Sequence, residues 1–407
     1  MSKLVSPNSV IGPGLVRNTQ ATIIRAVAFH LPQFHPIPEN DGWWGKGFTE
    51  WTNVVKAQPL FPGHYQPHLP ADLGFYDLRL PEARAAQAEL ASAYGVYGFC
   101  YFRYWFNGRQ VLERPVNEIL SSGEPDFPFC LCWANENWTR RWDGRNDEVL
   151  LAQRYTSDDD LAHIRSLIPF FLDRRYILIK DRPFFAIYRA SKLPEPQRTA
   201  DVWRREAERA GLKGLFLVCV ESHGEAGDPR DIGFDYSLEF HPNWRPILAS
   251  RILRRKWWHR RKLRTAERIF YDDLICDYEE MVKSALTEPV PEYPRIPCVC
   301  PSWDNSARRK SGAVILANST PEFYERWLRD VVSRQAARIA VDENSVISPE
   351  SLLFINAWNE WAEGNHLEPC QKWGRAYLEA TRRALGASSN DVETRARVGA
   401  EAPAPKS

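Results

Sequence analysis

Two acidic side chains carry the sharpest chemistry in this sequence. They are Glu360 and Glu363, in the segment Asn359-Glu360-Trp361-Ala362-Glu363-Gly364. If the backbone turns helically there, residues three apart share a face, with Cβ atoms about 5–6 Å apart. That is the carboxyl separation expected of glycosidic chemistry with retention. Like charges so close push their two pKa values apart, so one acid stays protonated while the other ionises. A Glu-x-x-Glu pair is also common at solvated helix N-termini, where the helix dipole favours it. The position decides between these readings. The pair follows the apolar run 352–358 (LLFINAW) and is flanked by Trp358, Asn359 and Trp361.

Something must hold such a pair in place. Apolar runs recur at 24–30, 97–102, 128–134, 183–188, 214–221, 234–239, 296–301 and 352–358. Helical stretches fall between them at 81–94, 158–173, 196–210, 323–338 and 373–386. Continuous apolar strands alternating with helices predict a parallel sheet covered on both faces. Eight such runs predict an α/β fold, a (β/α)8 TIM-like barrel with long active-site loops. A doubly wound open sheet is the alternative, weakened because no glycine-rich phosphate loop follows a strand. In a barrel the chemistry lies at the C-terminal ends of the strands.

Those ends are rich in polar and aromatic residues. The loop after the first run holds Trp43, Trp44, Lys46, Glu50 and Trp51. The third run leads into Trp133, Asn135, Glu136 and Trp138, and the seventh into Trp303 and Asp304. His30 and His241 sit at strand ends, and Asn359 adjoins the acidic pair. Ring faces beside bidentate polar groups suit a pyranose, which stacks its C–H face and hydrogen-bonds its hydroxyls. Each residue has a structural alternative: an aromatic lid for the tryptophans, a loop brace for Asn135 and Glu136, a satisfied core group for the histidines.

Composition excludes several classes. The chain has 407 residues, with Lys+Arg 53 against Asp+Glu 52 and a formal charge of +1. That balance rules out nucleic-acid binding by global basicity. The chain carries 16 Trp but only 2 Met. Cys100, Cys130, Cys132, Cys219, Cys298 and Cys300 lie in apolar runs and read as buried free thiols. No Cys-x-x-Cys or zinc spacing occurs, so no metal and no cofactor is expected. Residues 1–22 read as a flexible arm, 23–386 as one catalytic unit and 387–407 as a disordered tail. With no signal peptide and no run near the roughly 20 apolar residues of a membrane span, a cytoplasmic location is expected.

The motifs at 38–44 (Pro-Glu-Asn-Asp-Gly-Trp-Trp), 47–53 (Gly-Phe-Thr-Glu-Trp-Thr-Asn), 132–138 (Cys-Trp-Ala-Asn-Glu-Asn-Trp) and 359–364 closely resemble the WbsX-type proteins. These are glycosyltransferases of bacterial O-antigen and capsule synthesis, related to family 99 glycoside hydrolases, which are retaining endo-α-mannosidases on a (β/α)8 barrel. The resemblance covers roughly residues 24–385. It implies Glu360 as a base on the sugar 2-hydroxyl, giving a 1,2-anhydro intermediate, and Glu363 as acid and then base at the glycosidic oxygen. After Gly364 this chain reads Asn-His-Leu-Glu-Pro, where the hydrolases carry a Thr-Gln-Ile-Glu-like stretch.

Two further segments need a reading. Asp158-Asp159-Asp160 contains the Asp-x-Asp of metal-dependent transferases, but it follows Thr156-Ser157 and reads as a helix cap. The stretch 251–264 (RILRRKWWHRRKLR) reads as a solvated charged face, as a contact with anionic lipid or, with least support, as a nucleic-acid patch. A lipid-linked oligosaccharide substrate, as the resemblance implies, favours the second, peripheral to the inner membrane. The expected function is therefore a glycosyltransferase acting on a glycan or lipid-linked oligosaccharide, with no nucleic-acid partner. A retaining endo-acting hydrolase and a non-catalytic glycan-binding barrel stand as alternatives.

Overall fold

Every apolar run named above becomes a stave of one sheet. The computed structural model describes residues 24–140, 145–243, 246–247, 273–339 and 347–386. The arm 1–22, the tail 387–407 and the basic stretch 251–264 lie outside the described residues. The strands are β1 (Arg25–His30), β2 (Val96–Phe106), β3 (Phe129–Trp133), β4 (Arg182–Ile187), β5 (Phe216–Val220), β6 (Tyr236–Leu238), β7 (Arg295–Ile296), β8 (Cys298–Val299) and β9 (Leu352–Ile355). They pair in parallel in the order β7-β6-β5-β4-β3-β2-β1-β9-β8.

β7 and β8 are two halves of one stave, parted by Pro297. The first half pairs with β6 (Leu238 with Ile296) and the second with β9 (Cys298 with Phe354). Pro297 has no N–H to give, but its carbonyl accepts from Phe354 N at 2.9 Å. The sheet is thus a nearly closed barrel with eight stave positions.

The helices are α1 (Pro38–Trp44), α2 (Glu50–Lys56), α3 (Pro81–Ala93), α4 (Arg114–Ser122), α5 (Ser157–Phe171), α6 (Pro196–Arg209), α7 (Tyr278–Thr287), α8 (Pro321–Arg338) and α9 (Ala376–Leu385). α5 starts where the sequence marks it, because Thr156 Oγ1 accepts from Asp159 N at 3.1 Å. Asp159 also accepts Trp105 Nε1 at 2.9 Å, and Asp160 accepts the Thr199 hydroxyl at 3.0 Å. Capping and packing therefore occupy the aspartate run.

Strand alternation sorts the side chains. On β2, Arg103 and Trp105 point out to α5, through Ser166 and Asp159, whereas Phe102 and Tyr104 face the barrel mouth. Inside the barrel, Phe29 packs on Phe102, Phe240 and Phe354 with ring centres 5.3–5.4 Å apart. Phe184 reaches Phe354 across the barrel at 5.5 Å. Each such ring contributes roughly 1.5–3 kcal/mol of burial. None of the eight cysteines forms a disulfide; Cys219 is half-buried and the rest are buried.

Candidate functional site

The acidic segment hangs from β9 by a short chain of backbone bonds. Trp358 N donates to Phe29 O at 2.8 Å. Asn359 then clips the end of β1 with both ends of its amide: Oδ1 accepts Leu31 N at 2.7 Å and Nδ2 donates to Leu31 O at 3.0 Å. Asn359–Glu360 pairs antiparallel with Asn365–His366, and Trp361–Glu363 forms one 3-10 turn. The expected helical turn is thus a tighter one. In a 3-10 turn residues three apart eclipse, so Glu360 and Glu363 still share a face. Gly364 ends the turn at φ 55°.

Both acids meet Arg308, from the loop after β8. Arg308 Nη2 lies 3.0 Å from Glu360 Oε2, and Nη1 lies 2.7 Å from Glu363 Oε1. A third carboxylate joins them: Glu50, the first residue of α2, holds Oε2 at 3.0 Å from Nη2. Glu50 is fully buried, and its Oε1 has no hydrogen-bond partner. One cation thus serves three acids. Burial pushes the Glu360 carboxyl up to about 8; Arg308 opposes the rise, and the charges of Glu363 and Glu50 add to it. Glu50 is raised for the same first reason. Burial disfavours the Arg308 charge too, but the three carboxylates outweigh it and hold the guanidinium.

Above this cluster lies a cleft in two joined compartments, of about 430 and 250 Å³. Gln33, Glu136, Trp138, Arg308 and Glu363 line both. Glu360, Tyr104, Tyr188 and Trp303 line the inner one, and Trp43 and Trp44 the outer one. Trp138 packs edge-on to Tyr104 and Trp43, with centres 5.2 and 5.8 Å apart. Glu136 is held by Arg189 Nη1 at 2.7 Å.

The structure brings Glu360, Glu363, Trp43, Trp44, Glu136, Trp138 and Trp303 to the cleft and leaves the other expected residues off its lining. Glu50 sits behind Arg308. Trp51 is buried, giving Nε1 to Tyr76 O at 2.8 Å. Trp133 points away, packing on His163 of α5 with its Nε1 on Trp105 O. Asn135 is a loop brace: its amide exchanges bonds with Arg189 N and O at 2.7 and 2.9 Å. His30 is buried on Gln87 at 3.1 Å, and burial pulls its pKa down to about 4. His241 is buried against Trp327 and Glu239. Asn359 is the clip described above. At a strand end, as at Trp133, alternate residues face the helices rather than the mouth, whereas Glu50 and Trp51 are buried by α2.

Sequence reasoning missed Arg308 and Tyr188. The segment Ser302-Trp303-Asp304-Asn305 was singled out, but the cation lies just beyond it, in Ala307-Arg308-Arg309. A charge able to balance three acids in a post-strand loop is the signal that could have found it. Among the described residues, no group of three or more His, Cys, Asp or Glu side chains is arranged to hold a metal ion. None of the described helices is long and apolar enough to cross a membrane.

The barrel is similar to a solved glycoside hydrolase-like protein, with a TM-score of 0.53 at 12% identity, covering 94% of this chain and 97% of that one. It is equally similar to the family 99 endo-α-mannosidase of Bacteroides thetaiotaomicron in complex with Bis-Tris-propane, with a TM-score of 0.53 at 12% identity, covering 92% and 98%. At such identities the likeness concerns the fold. In sequence, the chain is 44% identical over 361 residues to the uncharacterized protein WxcX of Xanthomonas campestris pv. campestris, covering 88% of this chain and 49% of that protein. It thus spans about half the length of this curated relative. The profile of the family described as Glycosyltransferase WbsX matches residues 26–381. The chain therefore belongs to the WbsX glycosyltransferase family, carbohydrate-active enzymes on a barrel of the family 99 type.

Proposed function

We propose that the chain transfers a sugar onto a growing cell-envelope polysaccharide, with Glu360 as base and Glu363 as acid. The observation that carries this reading is the Arg308 cluster, with its two acids on one face at the floor of an aromatic-walled cleft. Ionised Glu360 takes the proton of a sugar 2-hydroxyl while that oxygen attacks the anomeric carbon. Glu363 gives its proton to the departing glycosidic oxygen. An acceptor hydroxyl, deprotonated by Glu363, then opens the anhydro ring, and Glu360 returns its proton to O2. A carboxyl whose pKa is about 8 is a stronger base than an ordinary one, which suits a weakly acidic hydroxyl. The family description favours a sugar acceptor, and hence transfer. A water acceptor would make the same site a retaining endo-hydrolase, the second reading, which the fold neighbour favours.

O-antigen or capsule synthesis in the cytoplasm, on a lipid-linked oligosaccharide, completes the proposal. The eight cysteines, none of them in a disulfide, fit a reducing compartment. The test is incubation with lipid-linked glycan, with and without nucleotide sugars, read by mass spectrometry. Growth by one sugar is expected. Loss of sugars identifies the hydrolase, and no change with any substrate overturns both. Glu360→Gln and Glu363→Gln should each lower turnover by about 100-fold or more while the fold is kept.

A further inference from the structure

We propose that the chain carries a second carbohydrate pocket, on the far side of the loop bearing Glu363, which takes a hydroxyl-rich sugar unit. The proposal rests on the reading of the chain as a glycan enzyme and adds a site to it. The cavity measures about 200 Å³ and is walled by Phe61, Tyr65, Trp303 and Trp373. Trp303 also lines the main cleft, so one ring separates the two spaces. Two bonds tie the pocket's wall to the acidic turn: Asp304 N donates to Glu363 O at 2.6 Å, and Ser302 Oγ donates to Gly364 O at 2.5 Å.

A relay of two histidines sets the pocket's chemistry. His366 Nδ1 lies 2.9 Å from the Glu368 carbonyl, which can only accept. His366 therefore carries its proton on Nδ1 and offers a lone pair at Nε2. His68 Nδ1, 3.0 Å from that Nε2, must be the donor. His68 Nε2 is then left as an acceptor. His68 is only 8% exposed and lines the cavity, its ring held by His366 and near the Tyr65 backbone. Burial pulls its pKa down to about 4, so the ring stays neutral.

Two serines also accept, while the indole N–H groups of Trp303 and Trp373 and the Asn318 amide can donate. Ser302 has spent its hydrogen on Gly364 O, and Ser319 has spent its own on Pro301 O at 2.6 Å. The one ammonium is that of Lys372, exposed, over the rings of Tyr65 and Trp373 at 4.5 and 4.9 Å. A wall that offers both acceptors and donors suits hydroxyl groups, each of which does both. A phosphate dianion, with a single O–H, would face the His68 lone pair and the Asp304 carboxylate. A sugar brings hydroxyls for the nitrogen and C–H faces for the rings.

The test is saturation-transfer NMR on the full chain with methyl α-glycosides of glucose, galactose, mannose and rhamnose as probes and inorganic phosphate as competitor. At least one glycoside should bind the unaltered chain and also Trp138→Ala, which weakens the main cleft. His68→Phe should weaken that binding by about tenfold or more, and His68→Gln, whose amide can place an oxygen near Nε2, should restore it. If His68→Phe fails to fold, Trp373→Ala at the half-buried rim should show the same loss. The proposal is overturned if no glycoside binds, if the signal survives His68→Phe and Trp373→Ala, if Trp138→Ala abolishes it, or if phosphate displaces it. The mass-spectrometric assay does not depend on these variants, so failure here leaves the main reading standing.

Discussion

Arg308 sets the protonation of everything around it. Three carboxylates about one guanidinium would leave a net negative charge in a buried site, so one acid stays neutral until the pH climbs. For Glu360 that point is about 8, against an ordinary 4.5. The sign follows directly. A carboxyl whose folded pKa is raised favours the neutral form in the native state, so native stability falls as pH rises from about 4.5 to about 8 and levels off above. Glu360→Gln mimics the neutral form and should remove that fall. Its unfolding free energy in chemical denaturation should match that of the unaltered chain near pH 5 and exceed it near pH 9, by an amount on the order of 1–3 kcal/mol. If Glu360 acts as the base, kcat/KM of the unaltered chain should rise as pH climbs towards about 8. A fall across that range would reverse the two roles. Arg308→Gln should cost about 3–5 kcal/mol in chemical denaturation, since it strands buried charges. Arg308→Lys should recover only part of this, because a point charge cannot span three acids as the planar fork does.

The turn that carries the acids depends on a glycine. Gly364 sits at φ 55°, and a Cβ there would stand 2.9 Å from Asp304 Cβ and 3.2 Å from the Asp304 backbone. Neither neighbour can yield, because Asp304 is fixed by His64, Gln66 and its own bond to Glu363 O. Gly364→Ala should therefore cost about 1–3 kcal/mol and move Glu363 off Arg308, seen as a lower melting temperature together with lost turnover. The same element shows what a sequence can reveal. The acidic pair, its spacing and its place after the last stave were legible because local pattern encodes them. Its 3-10 geometry was not, since Asn359 and Asn365–His366 impose it through contacts with β1 and along the loop. The parity of the third stave was equally hidden. Glu136 and Trp138 face the cleft while Trp133 and Asn135 face away, and an unbroken apolar run such as Phe-Cys-Leu-Cys-Trp carries no alternation to say so.

At the scale of the molecule, the barrel gathers the post-strand loops at one mouth, and this part of the fold was readable from eight buried runs with helices between them. Arg308 was not, because its partners come from α2 and the loop after β9, far apart in sequence. The whole-chain charge is only +1, so no long-range field steers the protein toward an anionic surface. Any membrane contact must come from a local patch, and the stretch 251–264 concentrates eight Lys/Arg residues with Trp257 and Trp258. At about 1 kcal/mol per basic residue near an anionic leaflet, that patch could by itself give stable attachment. Replacing four of its arginines with glutamine should release the protein from phosphatidylserine vesicles in a flotation assay, while turnover on a water-soluble glycan stays unchanged. Attachment of the unaltered chain should also weaken steeply as salt rises from about 0.1 M to 1 M, where the screening length falls from about 10 to 3 Å. Binding that ignores both the substitutions and the salt would mean that the substrate's lipid, rather than the patch, brings the enzyme to the membrane.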